Sequence, residues 1–404
     1  MRYKYVIVGG GMTADAAIEG LRQADPSGSI ALVGSESHPP YNRPPLTKAL
    51  WKGKPLDSVW RRTNRDGVDL RLGRTVTALD VRQKSVTDDQ GTTYAWEKLL
   101  LATGGTPRRL DAGGGPGSAA ARPAPDGGII YYRTLDDYTR LRALTEQGRR
   151  FAVIGAGFIG SEIAAALAMN QKDVVMFFPG EGIGARVYPA DLSQFLNGFY
   201  REKGVDVHPG QRVAAVTAEG DKTRVRTQSG LDVLVDGVVA GLGIEPNVGL
   251  ARDAGLDAQN GIVVDDLLRT SHPDVHAAGD VAAFHNPALD RRIRVEHEDN
   301  ANTMGKAAGR SMAGDRSPYH HLPFFYSDLF DLGYEAVGDL DPRLETFADW
   351  KQPYREGVVY YLQHGRVRGV LLWNTWEQVD AARRLIAEPG PHRPESLKGR
   401  LPAK

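Results

Sequence analysis

Residues 5–14 read YVIVGGGMTA, and this stretch decides the fold because it describes a buried strand, a tight glycine turn and the start of a helix. In such a unit, the free N–H groups at the helix N-terminus can hold a pyrophosphate. Residues 151–160, FAVIGAGFIG, repeat the pattern. Two copies in one chain predict two bound dinucleotides and electron transfer between them.

Each turn is followed by an acidic residue at the distance where a carboxylate meets a ribose hydroxyl, about 20 residues further on. Glu36 lies 22 residues after Ala14, and Glu181 lies 21 residues after Gly160. A carboxylate at Glu181 would repel a 2′-phosphate, which favours NADH over NADPH. Arg186 is close enough in sequence to invert that preference.

Composition restricts the chemistry further. The 404 residues include no cysteine, which excludes an internal disulfide relay, a cysteine-ligated iron–sulfur cluster and thiolate catalysis. The formal net charge is zero and gives no support for nucleic-acid or membrane binding. No motif predicts a metal site. The first strand begins close to Met1, leaving no room for a targeting peptide, so we expect a cytoplasmic protein.

The remaining pattern predicts alternating helices and strands, and Gly- and Pro-rich segments mark the boundaries. Residues 111–128 are rich in Gly, Ala, Pro and Ser and predict a linker. Helices are expected at 14–23, 190–203, 295–312 and 377–387, and strands at 29–33, 98–103, 174–178, 274–278, 357–363 and 366–373. The alternating stretches between 205 and 239 predict a β meander.

Further motifs resemble the FAD-dependent pyridine nucleotide-disulfide oxidoreductase family, in its cysteine-free branch. They are PYNRPPLTKALW at 40–51, LATGGTPR at 101–108, AGD at 278–280, RVEHEDNA at 294–301, YSDL at 326–329 and GYEAVG at 333–338. Within the family the chain is most similar to apoptosis-inducing factor and to the ferredoxin and rubredoxin reductases.

The resemblance implies an α/β fold with two Rossmann-like, doubly wound nucleotide-binding domains of the glutathione-reductase type and a C-terminal α+β domain. An FAD-binding domain would comprise residues 1–126 and 246–320. An NAD-binding domain would comprise 127–245, and the C-terminal domain 321–404.

The resemblance also implies a role for individual residues. Lys48 and Glu162 would form a charged pair beside the flavin, where a fixed ammonium stabilises the anionic reduced form. His297 would lie near the flavin and nicotinamide as the third candidate catalytic residue. Tyr326, at a position where relatives carry Trp, would cover the flavin. Arg43 and Arg108 would contact the FAD phosphates or lie at the domain seam.

The full set of expected cofactor contacts divides into two groups. Those expected for FAD are Gly9, Gly11, Ala14, Glu36, Arg43, Lys48, Val76, Ala102, Thr103, Gly104, Arg108, Gly279, Asp280, Glu296, His297 and Tyr326. Those expected for NAD are Gly155, Gly157, Phe158, Ile159, Gly160, Glu162, Glu181, Gly243 and Glu296.

The implied function is transfer of a hydride from NADH to FAD and then of electrons to an external acceptor. The first hypothesis is a ferredoxin- or rubredoxin-type acceptor, and the arginine pairs 61–62 and 291–292 could dock an acidic iron–sulfur protein or simply face solvent. The second is an NADH-responsive flavoprotein with a long-lived charge-transfer complex and redox-linked dimerisation. The third is a reductase of quinones or monodehydroascorbate. The protein would be a monomer or a redox-linked homodimer.

Overall fold

The computed structural model describes residues 1–63, 67–110 and 128–402, which belong to two compact units. The first unit comprises Met1–Arg43, Leu56–Thr106 and Glu245–Phe325. The second comprises Pro44–Pro55, Pro107–Ile244 and Tyr326–Lys404. The predicted linker, apart from its last residue, and the predicted boundary at 126 and 127 lie outside the described residues. The proposed three-domain division therefore stays a prediction.

Helices and strands alternate through most of the chain. The helices are α1 (Met12–Ala24), α2 (Leu135–Gln147), α3 (Phe158–Met169), α4 (Ala190–Glu202), α5 (Gly249–Asp253), α6 (Glu298–Met312), α7 (Val379–Ala387) and α8 (Pro394–Leu397). The strands are β1 (Arg2–Val8), β2 (Ile30–Gly34), β3 (Asp69–Leu72), β4 (Val76–Asp80), β5 (Ser85–Asp88), β6 (Thr93–Leu101), β7 (Gly105–Pro107), β8 (Ile129–Tyr131), β9 (Arg150–Ile154), β10 (Asp173–Phe177), β11 (Val205–His208), β12 (Val213–Glu219), β13 (Lys222–Thr227), β14 (Asp232–Val235), β15 (Gly237–Ala240), β16 (Ile244–Pro246), β17 (Ala258–Gln259), β18 (Gly261–Val263), β19 (Val275–Ala277), β20 (Ala282–Asn286), β21 (Arg291–Ile293), β22 (Phe324–Leu329), β23 (Leu332–Gly338), β24 (Glu345–Gln352), β25 (Glu356–Gln363) and β26 (Arg366–Trp373).

The first unit is built on a seven-stranded sheet in the order β3-β2-β1-β6-β5-β4, with β19 also pairing β6. The strands β3, β2, β1, β6 and β19 run parallel, whereas β5 and β4 are antiparallel additions. Helix α1 packs so closely on α6 that a Cβ at Gly309 would lie only 2.0 Å from the Ala17 carbonyl oxygen. The short turn at residues 9–11 places the N-terminus of α1 at the carboxyl end of β1.

The second unit contains the other parallel sheet, in the order β11-β10-β9-β15-β8. Its buried strands β9 and β10 are almost wholly apolar, as expected for a sheet covered on both faces. A separate antiparallel sheet, β12-β13-β14, follows within the same segment. The C-terminal segment forms a five-stranded sheet in the order β22-β23-β26-β25-β24, together with α7. The predicted α/β class is confirmed.

The structure corrects several sequence-based elements, among them the helix predicted at 377–387, because α7 begins at Val379 and Glu377 has a positive φ. Residues 205–239 are not one meander, because β11 and β15 at its two ends join the parallel sheet and only β12 to β14 pair antiparallel. Strand β11, VDVH, alternates like the antiparallel strands, so its pattern could not separate it from them, whereas β15, GVVA, is continuously apolar and buried, as a parallel strand covered on both faces should be. Helix α6 begins at Glu298 instead of residue 295, and His297 is its extended N-cap residue.

His276 on β19 gives the first unit a pH-dependent stability. Its side chain is 1% exposed, and burial lowers the pKa of the imidazole to about 4. The unfolded chain takes up a proton near the ordinary pKa of 6.5, while the folded chain does not. The contribution of neutral His276 to the free energy of unfolding is therefore fully present above pH 6.5. We expect the free energy of unfolding to fall by about 3 kcal/mol as the pH falls from 6.5 to 4.

Urea unfolding of the FAD-loaded protein at pH 7 and pH 4.5 measures this loss. His276→Gln should remove this contribution to the pH dependence, whatever its effect on stability at pH 7. His285→Gln is the control, because that histidine side chain is 52% exposed. An identical pH dependence in His276→Gln and the unsubstituted protein would contradict the assignment.

Candidate functional site

The first glycine turn has the shape needed for a dinucleotide. Gly9 adopts a φ of +120°, and a Cβ there would lie 2.1 Å from the carbonyl oxygen of Ala102, so the end of β1 can only approach that backbone as glycine. Gly11 is the N-cap of α1, and a Cβ there would meet no atom within 4 Å. Ala14 is fully buried one turn later. The open space over the α1 N-terminus fits an FAD pyrophosphate.

Glu36, the expected ribose ligand of the first turn, is held by two side chains of the following loop. Tyr41 donates its hydroxyl to one carboxylate oxygen at 2.6 Å, and Arg43 donates to the other. The Arg43 guanidinium also lies over the Tyr41 ring. Burial by itself would lower the pKa of Arg43, but Tyr41 and Glu36 outweigh it and raise that pKa. The cluster fixes Glu36 and Arg43 together, two of the expected FAD contacts.

The loop after β6, which contains Ala102, Thr103 and Gly104, is fastened by Asn247. The Asn247 amide donates to the Thr103 carbonyl oxygen at 2.9 Å, and Thr103 Oγ1 donates back to the Asn247 carbonyl oxygen at 2.9 Å. The backbone N–H of Asn247 donates to the Gly104 carbonyl oxygen. Asn247 received no role in the sequence analysis. Val76, the remaining residue expected from this region, begins β4 and packs against the core of the unit.

Arg294 joins two expected FAD contacts in the first unit. Its guanidinium pairs with the Glu296 carboxylate at 2.6 Å and donates to the Asp280 carbonyl oxygen at 2.9 Å. Gly279 precedes Asp280 with a φ of +77°. The His297 ring stacks on Phe325 at a centroid distance of 4.3 Å. Sequence reasoning quoted Arg294 within a motif without giving it a role.

The second glycine turn repeats the geometry of the first in the second unit. Gly155 has a φ of +106°, and a Cβ at Gly160 would lie 2.1 Å from the Gly155 carbonyl oxygen. Gly157 is the N-cap of α3, and a Cβ there would meet nothing within 4 Å. Phe158 and Ile159 are half-buried in the first turn of that helix. This open helix N-terminus fits the pyrophosphate of NAD(H).

Glu181 and Gly243, which are also predicted to contact NAD, lie on loops of the same unit. Glu181 follows β10 and its side chain is exposed, as the ribose role requires. Gly243 has a φ of +84°, and its carbonyl oxygen accepts a hydrogen bond from the Arg108 N–H at 2.9 Å.

Lys48 and Glu162 form a buried ion pair within the second unit, with Nζ and Oε2 2.6 Å apart. Glu162 is 4% exposed. Thr47 donates to the same carboxylate oxygen at 2.5 Å, and Ser327 donates to the other at 2.6 Å. The Lys48 ammonium lies 5.3 Å from the Tyr326 ring centroid. The carboxylate thus has an ammonium and two hydroxyl donors, the pairing that a buried charge requires.

An aromatic layer borders this ion pair. Burial raises the pKa values of Tyr188, Tyr200 and Tyr334, and the negative charge of Glu162 raises each further. Tyr188 packs edge-on against both Tyr334 and Trp373. The neutral phenols keep water away from the pair and strengthen its field.

The loop that carries Lys48 is anchored to the second unit by Trp51. The indole N–H donates to the Leu46 carbonyl oxygen at 2.8 Å, and the same oxygen accepts from the Tyr132 hydroxyl at 2.5 Å. Asn170, at the end of α3, donates to the Trp51 carbonyl oxygen at 3.1 Å. The Lys48 loop is therefore fixed on the unit that contains Glu162.

Part of the expected docking face is used inside the first unit. Arg61 pairs with Asp15 and donates to Asn42, and Arg292 donates to the carbonyl oxygens of Val264 and Ala283. The exposed residues of the two pairs are Arg62, Arg291 and Arg292.

Within residues 1–63, 67–110 and 128–402, no helix is both long and apolar enough to cross a membrane. In the same residues, no group of three or more His, Asp or Glu side chains could hold a metal ion.

Two dinucleotide turns, a buried ammonium–carboxylate pair and no thiol define a flavin- and pyridine-nucleotide-dependent oxidoreductase. The comparisons with known proteins agree. Residues 3–305 match the family model described as "Pyridine nucleotide-disulphide oxidoreductase". Residues 308–353 and 348–388 match "Apoptosis-inducing factor, mitochondrion-associated, C-term". The chain belongs to the pyridine nucleotide-disulphide oxidoreductase family, which uses FAD and NAD(H), and the predicted family, fold and cofactors are confirmed.

Individual relatives resemble nearly the whole chain. Mitochondrial apoptosis-inducing factor 1 of Dictyostelium discoideum is 32% identical and the match covers 95% of this chain and 78% of that protein. The ferredoxin reductase subunit of 5,5'-dehydrodivanillate O-demethylase from Sphingobium sp. is 34% identical, over 95% and 93%. Putidaredoxin reductase, in its covalent complex with putidaredoxin, superposes with a TM-score of 0.89 at 31% identity, over 98% and 95%.

Proposed function

We propose that this protein is an NADH-dependent flavoprotein reductase that passes electrons to a ferredoxin-type iron–sulfur protein. The observation that carries the proposal is the buried Lys48–Glu162 pair in a chain without cysteine. Bound FAD would accept a hydride from NADH and release electrons singly. With no thiol to receive them, the electrons leave for an external acceptor.

The first unit would bind FAD through the turn at Gly9 and Gly11, the Glu36–Arg43 cluster, the loop at Thr103 and the turn at Asp280. The second unit would bind NADH through the turn at Gly157. Lys48 would hold positive charge beside the flavin. Glu162 would keep Lys48 ionised and in place, because its carboxylate is itself fixed by Thr47 and Ser327.

The family relatives support the choice of acceptor. One relative is named as a ferredoxin reductase subunit, and one solved relative is held in a covalent complex with putidaredoxin. Exposed Arg62 and Arg291 would contribute positive charge to the docking of an acidic partner. The reductase would act as a monomer or as a redox-linked homodimer.

Anaerobic mixing with NADH, followed by addition of an acceptor, tests the function. We expect the flavin absorbance to bleach rapidly and to return when a [2Fe–2S] ferredoxin is added. Dichlorophenolindophenol, a small dye, is the control for acceptors that need no docking surface. Sulfate-free buffers of rising NaCl concentration should slow the ferredoxin reaction and leave the dye reaction unchanged.

Other results would select the alternatives. A persistent long-wavelength band in air, with a dimer formed on NADH addition, would indicate the NADH-responsive flavoprotein. Fast turnover with quinones or monodehydroascorbate and none with any ferredoxin would indicate a small-oxidant reductase. Absence of a flavin spectrum after addition of FAD would overturn the proposal as a whole.

A further inference from the structure

The loop that carries Glu181 is fixed from two sides within the second unit. We call residues 178–184 the ribose loop. On one side, the segment after β11 donates to it: the N–H of Gly210 to the Gly180 carbonyl oxygen and the N–H of Gln211 to the Phe178 carbonyl oxygen, both at 2.9 Å. On the other side lies helix α4. The main chain of the loop is therefore held although the Glu181 side chain is exposed.

Asn197 of α4 makes the contact with the ribose loop. Its Nδ2 donates to the Glu181 carbonyl oxygen at 2.9 Å, and its Oδ1 accepts from the Ile183 N–H at 3.1 Å. Ser193, one turn earlier, donates its hydroxyl to the Ile183 carbonyl oxygen at 2.7 Å. The two polar residues thus bind the backbone on both sides of Gly182.

The position of Asn197 is costly unless it serves the loop. The residue is 5% exposed in the interior of α4, where asparagine is a weak helix former and a buried amide must find partners. Both ends of its amide are satisfied by the ribose loop. A leucine or alanine would suit the helix and its apolar neighbours better.

We propose that Asn197 is a positioning residue that sets the preference for NADH over NADPH by fixing the main chain of Glu181. The inference rests on the proposed function together with the predicted contact of the Glu181 carboxylate with the adenine-side ribose of NADH. The backbone at Glu181 sets the position and direction of its Cα–Cβ bond, and therefore the space that the exposed carboxylate can reach. Asn197 acts on the main chain at Glu181 itself.

Loss of Asn197 should change nucleotide selection without changing the chemistry. In Asn197→Ala we expect the KM for NADH to rise about 10-fold, the effect of losing one to two hydrogen bonds. The KM for NADPH should stay the same or fall, because the carboxylate that repels the 2′-phosphate is no longer held in place. The kcat with NADH, measured with dichlorophenolindophenol, should change less than about twofold, since no group beside the flavin has moved.

Two further variants separate positioning from general damage. A Cβ at Gly182 would lie 2.4 Å from Ser193 Oγ, so Gly182→Ala displaces the loop with Asn197 intact and should lower the NADH preference in the same way. Gln194→Ala, on the exposed face of α4, is the matched control and should leave the preference unchanged. If Asn197→Ala does not fold, Asn197→Asp keeps the acceptor for Ile183 and removes the donor to Glu181.

A double-mutant cycle with Glu181→Ala tests whether Asn197 acts through Glu181 or independently of it. If Asn197 acts through Glu181, Asn197→Ala lowers the NADH-to-NADPH ratio of kcat/KM in the unsubstituted chain and has no further effect in Glu181→Ala. The proposal would be overturned if the two substitutions lowered the NADH-to-NADPH ratio independently, so that their effects multiplied in the double variant. It would also be overturned if Glu181→Ala lowered that ratio and Asn197→Ala left it unchanged. An unchanged ratio in Glu181→Ala would instead show that the ribose contact of the proposed function is wrong.

Discussion

Lys48→Ala is expected to slow flavin reduction by NADH about 100-fold or more while FAD remains bound. Removing one preorganised charge or donor from a water-poor site typically costs that much. The site around Lys48 has that character: the pair with Glu162 is buried, its other donors are Thr47 and Ser327, and neutral phenols border it. The measurement is anaerobic stopped-flow bleaching, with the flavin midpoint potential as a second readout.

The substitution also leaves the Glu162 carboxylate without its ammonium. Breaking a buried pair from one side costs about 3–5 kcal/mol, so thermal stability should fall as well. Lys48→Ala,Glu162→Gln should recover most of the stability and none of the reduction rate, which separates the two effects. Lys52→Ala is the control on the same loop, since its surface pair with Asp328 spans 3.3 Å and both side chains are exposed. An unchanged reduction rate and potential in Lys48→Ala would remove Lys48 from the mechanism.

Gly157→Ala is expected to weaken NADH binding strongly without destabilising the fold. Its φ is −83°, and a Cβ would meet no protein atom within 4 Å, so the folded chain accepts alanine. The added methyl group would occupy the space over the α3 N-terminus where the pyrophosphate must approach the backbone. We expect the KM for NADH to rise about 100-fold, which corresponds to the loss of about 2.7 kcal/mol of binding.

Gly160→Ala is the comparison variant, because the added methyl group should destabilise the fold. A Cβ there would lie 2.1 Å from the Gly155 carbonyl oxygen, so α3 must move away from the end of β9. Overpacking of this kind costs about 1–3 kcal/mol or more, and thermal unfolding should detect it. The thermal midpoint and the NADH KM of both variants form the test. A normal KM in Gly157→Ala would mean that the nucleotide does not bind at this turn.

The glycine turns show how far the sequence reaches. Each is a local object, in which strand, turn and helix follow one another within about 20 residues, so periodicity and glycine placement predict it correctly. The predicted start of α6 at residue 295 is wrong, because no local signal in the sequence marks His297 as the N-cap. The prediction for residues 205–239 is wrong because the pairing partners on β10 and β9, which lie 31 and 86 residues earlier in the chain, decide which strands join the parallel sheet.

The candidate site likewise has features that the sequence determines and features that only the tertiary structure determines. The sequence by itself determined the two dinucleotide turns, their acids and the absence of a thiol, since these depend only on residue identity and short spacing. Only the tertiary structure decided what surrounds the functional groups: Ser327 on Glu162, Asn247 on the Thr103 loop, Arg294 between Asp280 and Glu296, and Asn197 beneath Glu181. A hydrogen bond requires atoms within about 3 Å, and most of these contacts join residues between 14 and 165 positions apart, which meet only when the hydrophobic cores pack.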